Sequence, residues 1–477
     1  MLKRFVPIVA AATLIAMPAG PALASSHRAD GRGPAARPSR HVPGAPAASA
    51  ATSVPNLPAA AGRPTGVVWQ RGQAARPAAG NMQYHGGPVQ RGPQVYIVLW
   101  GSWWDCSGSG CTNPGSGHGD AVESYLFNYW HGVGTATDGL VQVNSQYGDA
   151  SGGHPAFGSG VWGTACGSDG NNNCGWVADQ QDPPQSPTVG DIAGAALWGA
   201  DYFGVTGDSN VQIIVVSPKG IHPDGFPNSG FCAWHSSTTD AFGNVVAYTN
   251  MPFLPDAGSA CDAAGSMDGW SVVGGHEFSE TVTDPELTAW CGGNTASCSG
   301  SSAEIGDLCA WTNLFTEPLV TGSFVQQPLW DNSTGSCQDA FRGPIRSFNH
   351  RGKCVDDHHS STANGTKVDI YGCNGTRAQT WASFPDRSLR RYGGYGHADT
   401  GKCLDIAGKH SSNGTKVDLW TCTGGWNQKW LYRPGSHEWY NPHSSKCLED
   451  PSGNLTNGTQ LKTWACNGHS DEVWTNV

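Results

Sequence analysis

His276 and Glu280 stand four residues apart in the run Ser271-Val272-Val273-Gly274-Gly275-His276-Glu277-Phe278-Ser279-Glu280-Thr281-Val282-Thr283-Asp284-Pro285. On a helix that spacing projects an imidazole and a carboxylate from one face, with Glu277 about 100° round beside them. Zinc takes nitrogen and carboxylate oxygen donors alike, so the pair could hold one ion. Glu277 would then act as general base on a water whose pKa the metal lowers to about 7, the logic of His-Glu-x-x-His with the second His replaced by Glu. An acidic amphipathic helix carries the same letters by chance. Against that, Val272, Val273 and the Gly-Gly step describe an apolar, close-packed helix rather than a solvated one. Catalytic zinc needs a third protein ligand. His235, expected in a Cys-anchored Gly/Ser-rich loop where ligands are often presented, is the first choice. Asp307 and Glu304 are the alternatives, one of which could orient His276 instead. His222 and Asp284 are weaker candidates. The expected cofactor is zinc.

These side chains need a scaffold. Pro285 disfavours the helical region for Asp284, so the helix should end there. Upstream, Val95 to Trp100 reads as a buried strand, Asp120 to Trp130 as a helix, Thr188 to Phe203 as a second helix, and Val211 to Val216 as another buried strand. That alternation implies an α/β or α+β layer fold over residues 84–340. Before it, residues 25–83 are Ala/Pro-rich and read as a disordered tether or leader. Lys3 and Arg4 followed by an apolar run and Ala22-Leu23-Ala24 read as a signal peptide over residues 1–24. No other stretch has 18 apolar residues, so no membrane span is expected.

Sixteen cysteines, an even number, suit an oxidising exterior. Those from Cys106 to Cys337 pair most simply with their chain neighbours. A net charge of −11 argues against nucleic acid as a partner. The expectation is a secreted, extracellular monomer.

The end of the chain is a threefold repeat. Cys354 and Cys373, Cys403 and Cys422, and Cys447 and Cys466 are equally spaced. Between them recur Asn364-Gly365-Thr366-Lys367-Val368-Asp369, Asn413-Gly414-Thr415-Lys416-Val417-Asp418 and Asn457-Gly458-Thr459-Gln460-Leu461-Lys462. The repeats close on Gln379-x-Trp381, Gln428-x-Trp430 and Glu472-x-Trp474. One copied supersecondary unit cannot bury its own apolar face, whereas three can close around a shared core. Asn-Gly steps flanked by alternating apolar residues point to hairpins.

Residues 341–477 resemble the ricin-type β-trefoil lectin module, whose fold is all-β. The resemblance implies disulfides within the three cysteine pairs and a shallow sugar site in each repeat. The middle repeat carries the full set in Asp405, Asp418, Trp420 and Asn427. The first has Asp356, Asp369 and Tyr371, but Ala378 where Asn is expected. The third departs most, with Glu449, Lys462, Trp464 and Asp471. Carboxylates that accept from vicinal hydroxyls and a ring that stacks on a pyranose suit galactose- or xylose-type glycans.

Ser271 to Trp290 with Glu304-Ile305-Gly306-Asp307-Leu308-Cys309 is similar to the plant phosphate-induced, or EXORDIUM-like, secreted proteins. That resemblance implies a zincin-like scaffold of undefined activity. Together the two imply a multidomain protein: a zinc peptidase domain acting on a protein or glycoprotein substrate, brought to glycans by a lectin. A non-catalytic adhesin or signalling protein is the reading from another class. A glycoside hydrolase, which needs two carboxylates about 5 to 10 Å apart in a cleft, is a further one.

Overall fold

The computed structural model describes residues 67–72, 80–104, 118–157, 160–168, 173–263, 267–292, 298, 303–350, 352–393, 399–433 and 436–475. The signal peptide, most of the leader, Cys106 and Cys111 lie outside them.

Seven strands and three helices make up the first part of the central scaffold. Strands β1 (Val67–Trp69), β2 (Gln83–Tyr84) and β3 (Gln94–Trp100) precede helix α1 (His118–Gly132). β4 (Trp176–Asp179), α2 (Val189–Phe203) and β5 (Val211–Val216) follow. β6 (Phe231–Thr239), β7 (Val245–Met251) and α3 (Asp268–Thr283) complete the set. Six strands make one mixed sheet in the order β1-β6-β7-β5-β3-β4. β7, β5, β3 and β4 run parallel, while β6 is antiparallel to β7 and β1 to β6.

The central strands are apolar throughout because both faces are covered, as in parallel sheets generally. Tyr96 packs on Phe203 of α2, and Trp234 on Tyr248 beneath the same helix. The alternate residues face α3, where a Cβ on Gly274 would lie against Trp130, Tyr129 and Met251. The period of two along β6 therefore sends Trp234 toward α2 and His235 toward α3. Helices on both faces of a largely parallel sheet give an α/β arrangement.

Both expected helices and both expected strands are present, α2 with Thr188 as N-cap in a reciprocal capping box with Asp191. Two expectations need correction. Ordered structure does not wait for Tyr84: Val67 and Val68, read as leader, are buried and form edge strand β1. A three-residue strand gives too short an alternation to stand out from its Ala/Pro-rich surroundings. His235 is not in a loop but in β6, whose Cys232 bonds Cys261.

β8 (Trp290–Cys291) pairs with β2, and two hairpins follow, β9 (Phe315–Leu319) with β10 (Gly322–Gln326) and β11 (Leu329–Asp331) with β12 (Ser336–Gln338). The described central cysteines pair with their chain neighbours: Cys166–Cys174, Cys232–Cys261, Cys291–Cys298 and Cys309–Cys337.

In the C-terminal part each repeat forms a hairpin closed by its disulfide: Cys354–Cys373, Cys403–Cys422 and Cys447–Cys466. The three share one core that includes Val355, Val368, Leu404, Val417, Leu448 and Leu461. Trp381, Trp430 and Trp474 are buried and donate their indole N–H to Val355 O, Leu404 O and Leu448 O respectively. The Asn-Gly steps do not form the hairpin tips. Gly365, Gly414 and Gly458, all at φ near +80°, open the second strand of each hairpin and donate to Leu419 O, Thr463 O and Ile370 O of a neighbouring repeat. They lock repeat to repeat. Against the central domain, Arg390 donates to Ala136 O and lies over the Phe384 ring.

Candidate metal centre and sugar sites

Every residue from Gly269 to Thr283 is buried, so α3 has no solvated face. Asp284 ends the helix: its N–H donates to Glu280 O, and its Oδ1 accepts from Thr288 N and Ala289 N. It is a cap on one oxygen, and its Oδ2 is buried without a hydrogen-bond partner.

His276 and Glu280 face each other as the spacing requires, with His276 Nε2 2.8 Å from Glu280 Oε1. The loop through Glu304 and Asp307 closes over them, its position fixed by the Cys309–Cys337 bridge. Asp307 N–H donates to Glu280 Oε1, and Asp307 Oδ1 lies 3.9 Å from His276 Nε2. Gly306 permits the approach, since a Cβ there would sit 2.7 Å from the His276 ring. On the sheet side, His235 Nδ1 lies 3.2 Å from Glu277 Oε2 and 3.6 Å from Glu280 Oε2. Its Nε2 is 3.4 Å from Asp284 O and 3.5 Å from Glu304 Oε2. His235, His276 and Glu280 are 0% exposed, Glu277 and Glu304 1%, and Asp307 8%. The structure thus brings together Glu277, His276, Glu280, His235 and Asp307, with Glu304 and Asp284. His222 is exposed and stands apart.

Five carboxylates and two imidazoles in a dry core conflict electrostatically, and their ionisation registers it. Burial, reinforced by Glu280, pushes the Glu277 carboxyl well above its ordinary value; burial does the same to Glu304, again with Glu280 adding to it. Burial raises Asp284 to about 6. Burial disfavours a charge on His276, but the Glu280 carboxylate overrides it and lifts the imidazole to about 9. Burial likewise opposes charge on Glu280, yet His276 brings that carboxyl below its ordinary value. Burial lowers His235.

Buried polar atoms are normally satisfied. Here Glu280 Oε2 and Glu304 Oε2 have no hydrogen-bond partner, while His276 Nε2 meets Glu280 Oε1 at 2.8 Å. Two sets of donors, His235/Glu277/Glu280 and His276/Glu280/Asp307, have ligand atoms within 4.8 Å of one another. Tetrahedral zinc with bonds of about 2.0–2.1 Å separates its donors by about 3.3–3.5 Å; the 3.2, 3.6 and 3.9 Å spacings bracket that value, whereas His276 and Glu280, at 2.8 Å, stand at hydrogen-bond distance and would have to part to admit a cation.

Two contacts had no signal in the sequence. Gln327 Nε2 lies 2.9 Å from His276 Nδ1 and donates to Gly306 O. It is 51 residues from His276, in a segment with no motif. For Nε2 to take a cation the ring proton must sit on Nδ1, and the Gln327 amide must turn its oxygen to receive it. The second contact is Val68, whose backbone N–H donates to Glu277 Oε1 at 3.3 Å. Strand β1 lies over the group expected to act as base, and Trp311 Nε1 donates to Trp69 O beside it.

In the sugar-site repeats, cross-strand pairing assembles the expected groups. Asp405 lies opposite Asp418, with Trp420 opposite Cys403. Asp405 Oδ2 accepts from Asn427 Nδ2 and Gln428 Nε2, both at 2.7 Å. Trp420 is 42% exposed, an open platform unlike the buried Gln-x-Trp rings. Asp356 and Asp369 pair in the same way in the first repeat, and Tyr371 is exposed. There Asp369 is 0% exposed and engaged by His358 at 2.7 Å and Lys367 at 3.3 Å, and Ala378 is buried where Asn would reach in. In the third, Glu449 faces Lys462 across the strands and Trp464 is exposed.

Residues 341–474 match the family described as the ricin-type beta-trefoil lectin domain, and this part of the chain is a lectin domain of that type. The match does not extend over the central domain, and it lends no support to the likeness to phosphate-induced secreted proteins expected there. No curated protein matches the chain. Among solved structures, a designed threefold-symmetric protein, ThreeFoil, is 24% identical over 28% of this chain and 96% of its own, with a TM-score of 0.25. A non-toxic homologue of type II RIPs from Momordica charantia, solved with alpha-methyl-D-galactoside, is 24% identical over 28% of this chain and 46% of its own, with a TM-score of 0.24. The agglutinin from Abrus precatorius is 19% identical over 33% of this chain and 55% of its own, with a TM-score of 0.24. This chain spans about half the length of the two plant proteins.

Proposed function

We propose that this is a secreted glycan-binding protein whose central, zincin-like domain is a metal-dependent hydrolase of peptide bonds in proteins or glycoproteins. The lectin module supplies avidity for a glycosylated surface, raising the local concentration of the central domain without adding catalytic contacts. The carrying observation is the convergence of His276, Glu280 and Asp307 in the core, with ligand atoms within 4.8 Å of one another. Seven disulfides among the described residues, and no described helix long and apolar enough to cross a membrane, support an extracellular setting.

His276, Glu280 and Asp307 would hold the cation. When bound, zinc or a similar ion supplies a Lewis acid that polarises a carbonyl and acidifies water. Glu277 lies next to this set, and burial raises its carboxyl above the ordinary value, the direction a general base requires. His235 and Val68 N–H hold that carboxylate from its two sides. Val67–Trp69, paired at the edge of β6, lies against Glu277 through Val68 N–H, so its displacement would free one side of that carboxylate. In the lectin, Asp405 and Asp418 accept from sugar hydroxyls, Asn427 holds Asp405 in place, and Trp420 stacks on the sugar ring; a galactose- or xylose-type glycan fits this set.

Hydrolysis of a glycoprotein by the secreted chain should be abolished by a chelator and by Glu277→Gln, with glycan binding intact in both. Glycan binding without chelator-sensitive hydrolysis, even after residues 1–72 are removed, would leave the adhesin reading in its place.

A further inference from the structure

Glu280 points its two oxygens in different directions. Oε1 faces His276 Nε2 and takes the Asp307 N–H. Oε2 faces His235 Nδ1 at 3.6 Å, where Glu277 Oε2 also arrives at 3.2 Å, and Oε2 has no hydrogen-bond partner. Each oxygen therefore belongs to a separate triad made of one imidazole, one carboxylate of its own and half of Glu280. His235 carries the second-site geometry further: its outer nitrogen, Nε2, is turned to Asp284 O and Glu304 Oε2. A carbonyl or carboxylate behind a ligating histidine is what fixes its inward nitrogen free of a proton.

We propose that the central domain holds two divalent cations, bridged by Glu280. One sits with His276 Nε2, Glu280 Oε1 and Asp307. The other sits with His235 Nδ1, Glu280 Oε2 and Glu277 Oε2. The inference rests on the metal reading above and extends it, since it makes Glu277 a ligand. Bridged cations in such centres lie about 3.5–4 Å apart, a separation one carboxylate spans. Charge favours two ions over one. Glu277, Glu280, Glu304 and Asp307 all lie in the cluster with two imidazoles. With Asp284 the cluster holds five carboxylates; if all are ionised, one divalent cation would leave three buried negative charges and two would leave one, and buried charges must be compensated. The mixed nitrogen and carboxylate donor set suits zinc, manganese, iron or cobalt in the divalent state.

The test is cation content of the full secreted chain, stripped with chelator and reloaded separately with zinc and manganese. Two cations per chain are expected, falling to one in His235→Ala and in Glu277→Gln, with near-ultraviolet dichroism confirming that each variant is folded. The unsubstituted chain gives an independent readout: manganese loading should produce an exchange-coupled paramagnetic resonance spectrum in place of the six-line signal of an isolated ion. One cation per chain, unchanged by either substitution and with an uncoupled spectrum, would overturn the second site and leave the single-cation reading standing. No cation bound by the unsubstituted chain would overturn both.

Discussion

Gly306→Ala isolates the contact that holds the Glu304–Asp307 loop on His276. Gly306 has φ −80° and ψ −43°, a conformation natural to alanine, so the backbone itself offers no resistance. On backbone grounds alone the substitution should stabilise the protein by about 0.4–1 kcal/mol, through loss of freedom in the unfolded chain. The new methyl, however, would lie 2.7, 2.8 and 2.9 Å from three atoms of the His276 ring. That ring is 0% exposed and held from behind by Gln327, so it has nowhere to retreat. Overpacking of this kind costs about 1–3 kcal/mol, which outweighs the backbone gain and leaves a net loss of about 1–2 kcal/mol. The displaced loop carries Asp307, whose donor atom already sits at the long end of the ligand spacings. Cation affinity should therefore fall at least tenfold, read by competition with a chromophoric chelator, alongside a lower thermal midpoint with cation present. An alanine variant as stable as the parent, or more stable, and with unchanged cation affinity would refute the placement of this loop against His276.

The lectin offers separate tests. Trp420→Ala should weaken binding of a galactoside by about two- to tenfold, the loss of a stacked ring worth about 0.5–1.5 kcal/mol, and Asp405→Ala should abolish it at the middle site; calorimetry reads both. Burial, helped by Asp405, raises Asp418 to about 6. The carboxylate that accepts from a sugar is thus fully present above pH 6 and is lost as pH falls through it, so titration of galactoside affinity from pH 7.5 to 5 should show weakening centred near 6. The disulfide Cys309–Cys337 spans 28 residues. Its removal in the Cys309→Ser/Cys337→Ser pair should cost about 3–4 kcal/mol by loop-closure entropy, and should lower cation affinity as well because the loop bearing Asp307 is freed. Removing residues 1–72 takes away Val68 N–H and uncovers Glu277, so a small water-soluble carbodiimide should modify Glu277 in the shortened chain and not in the full one, read by peptide mass.

The repeats were legible because three copies of one pattern recur, and the open rings Tyr371, Trp420 and Trp464 stand at the platform positions of that pattern. That Trp381, Trp430 and Trp474 point inward was not read from the sequence. The Asn-Gly steps were legible as turns but not as ties between repeats, since pairing partners in a neighbouring copy leave no local trace. In the central domain the zinc-helix spacing identified His276, Glu277 and Glu280, and periodicity found α2, β3 and β5. Long-range contacts were harder. His235 was named from its residue type, yet its strand was missed, as a nine-residue strand rich in Ser and Thr reads locally like a loop. Gln327 and Val68 meet the cluster only through tertiary folding. Three apolar letters, two of them buried, gave β1 no periodic signal in an Ala/Pro-rich leader, although Val68 N–H reaches Glu277.

The most direct measurement is a crystal structure of the cation-loaded protein with diffraction recorded on both sides of the zinc absorption edge. Anomalous density is expected between His276 Nε2, Glu280 and Asp307, with the Gln327 amide oxygen turned to His276 Nδ1. A structure from zinc-saturated protein with no such density, and with His276 still 2.8 Å from Glu280, would contradict the metal centre.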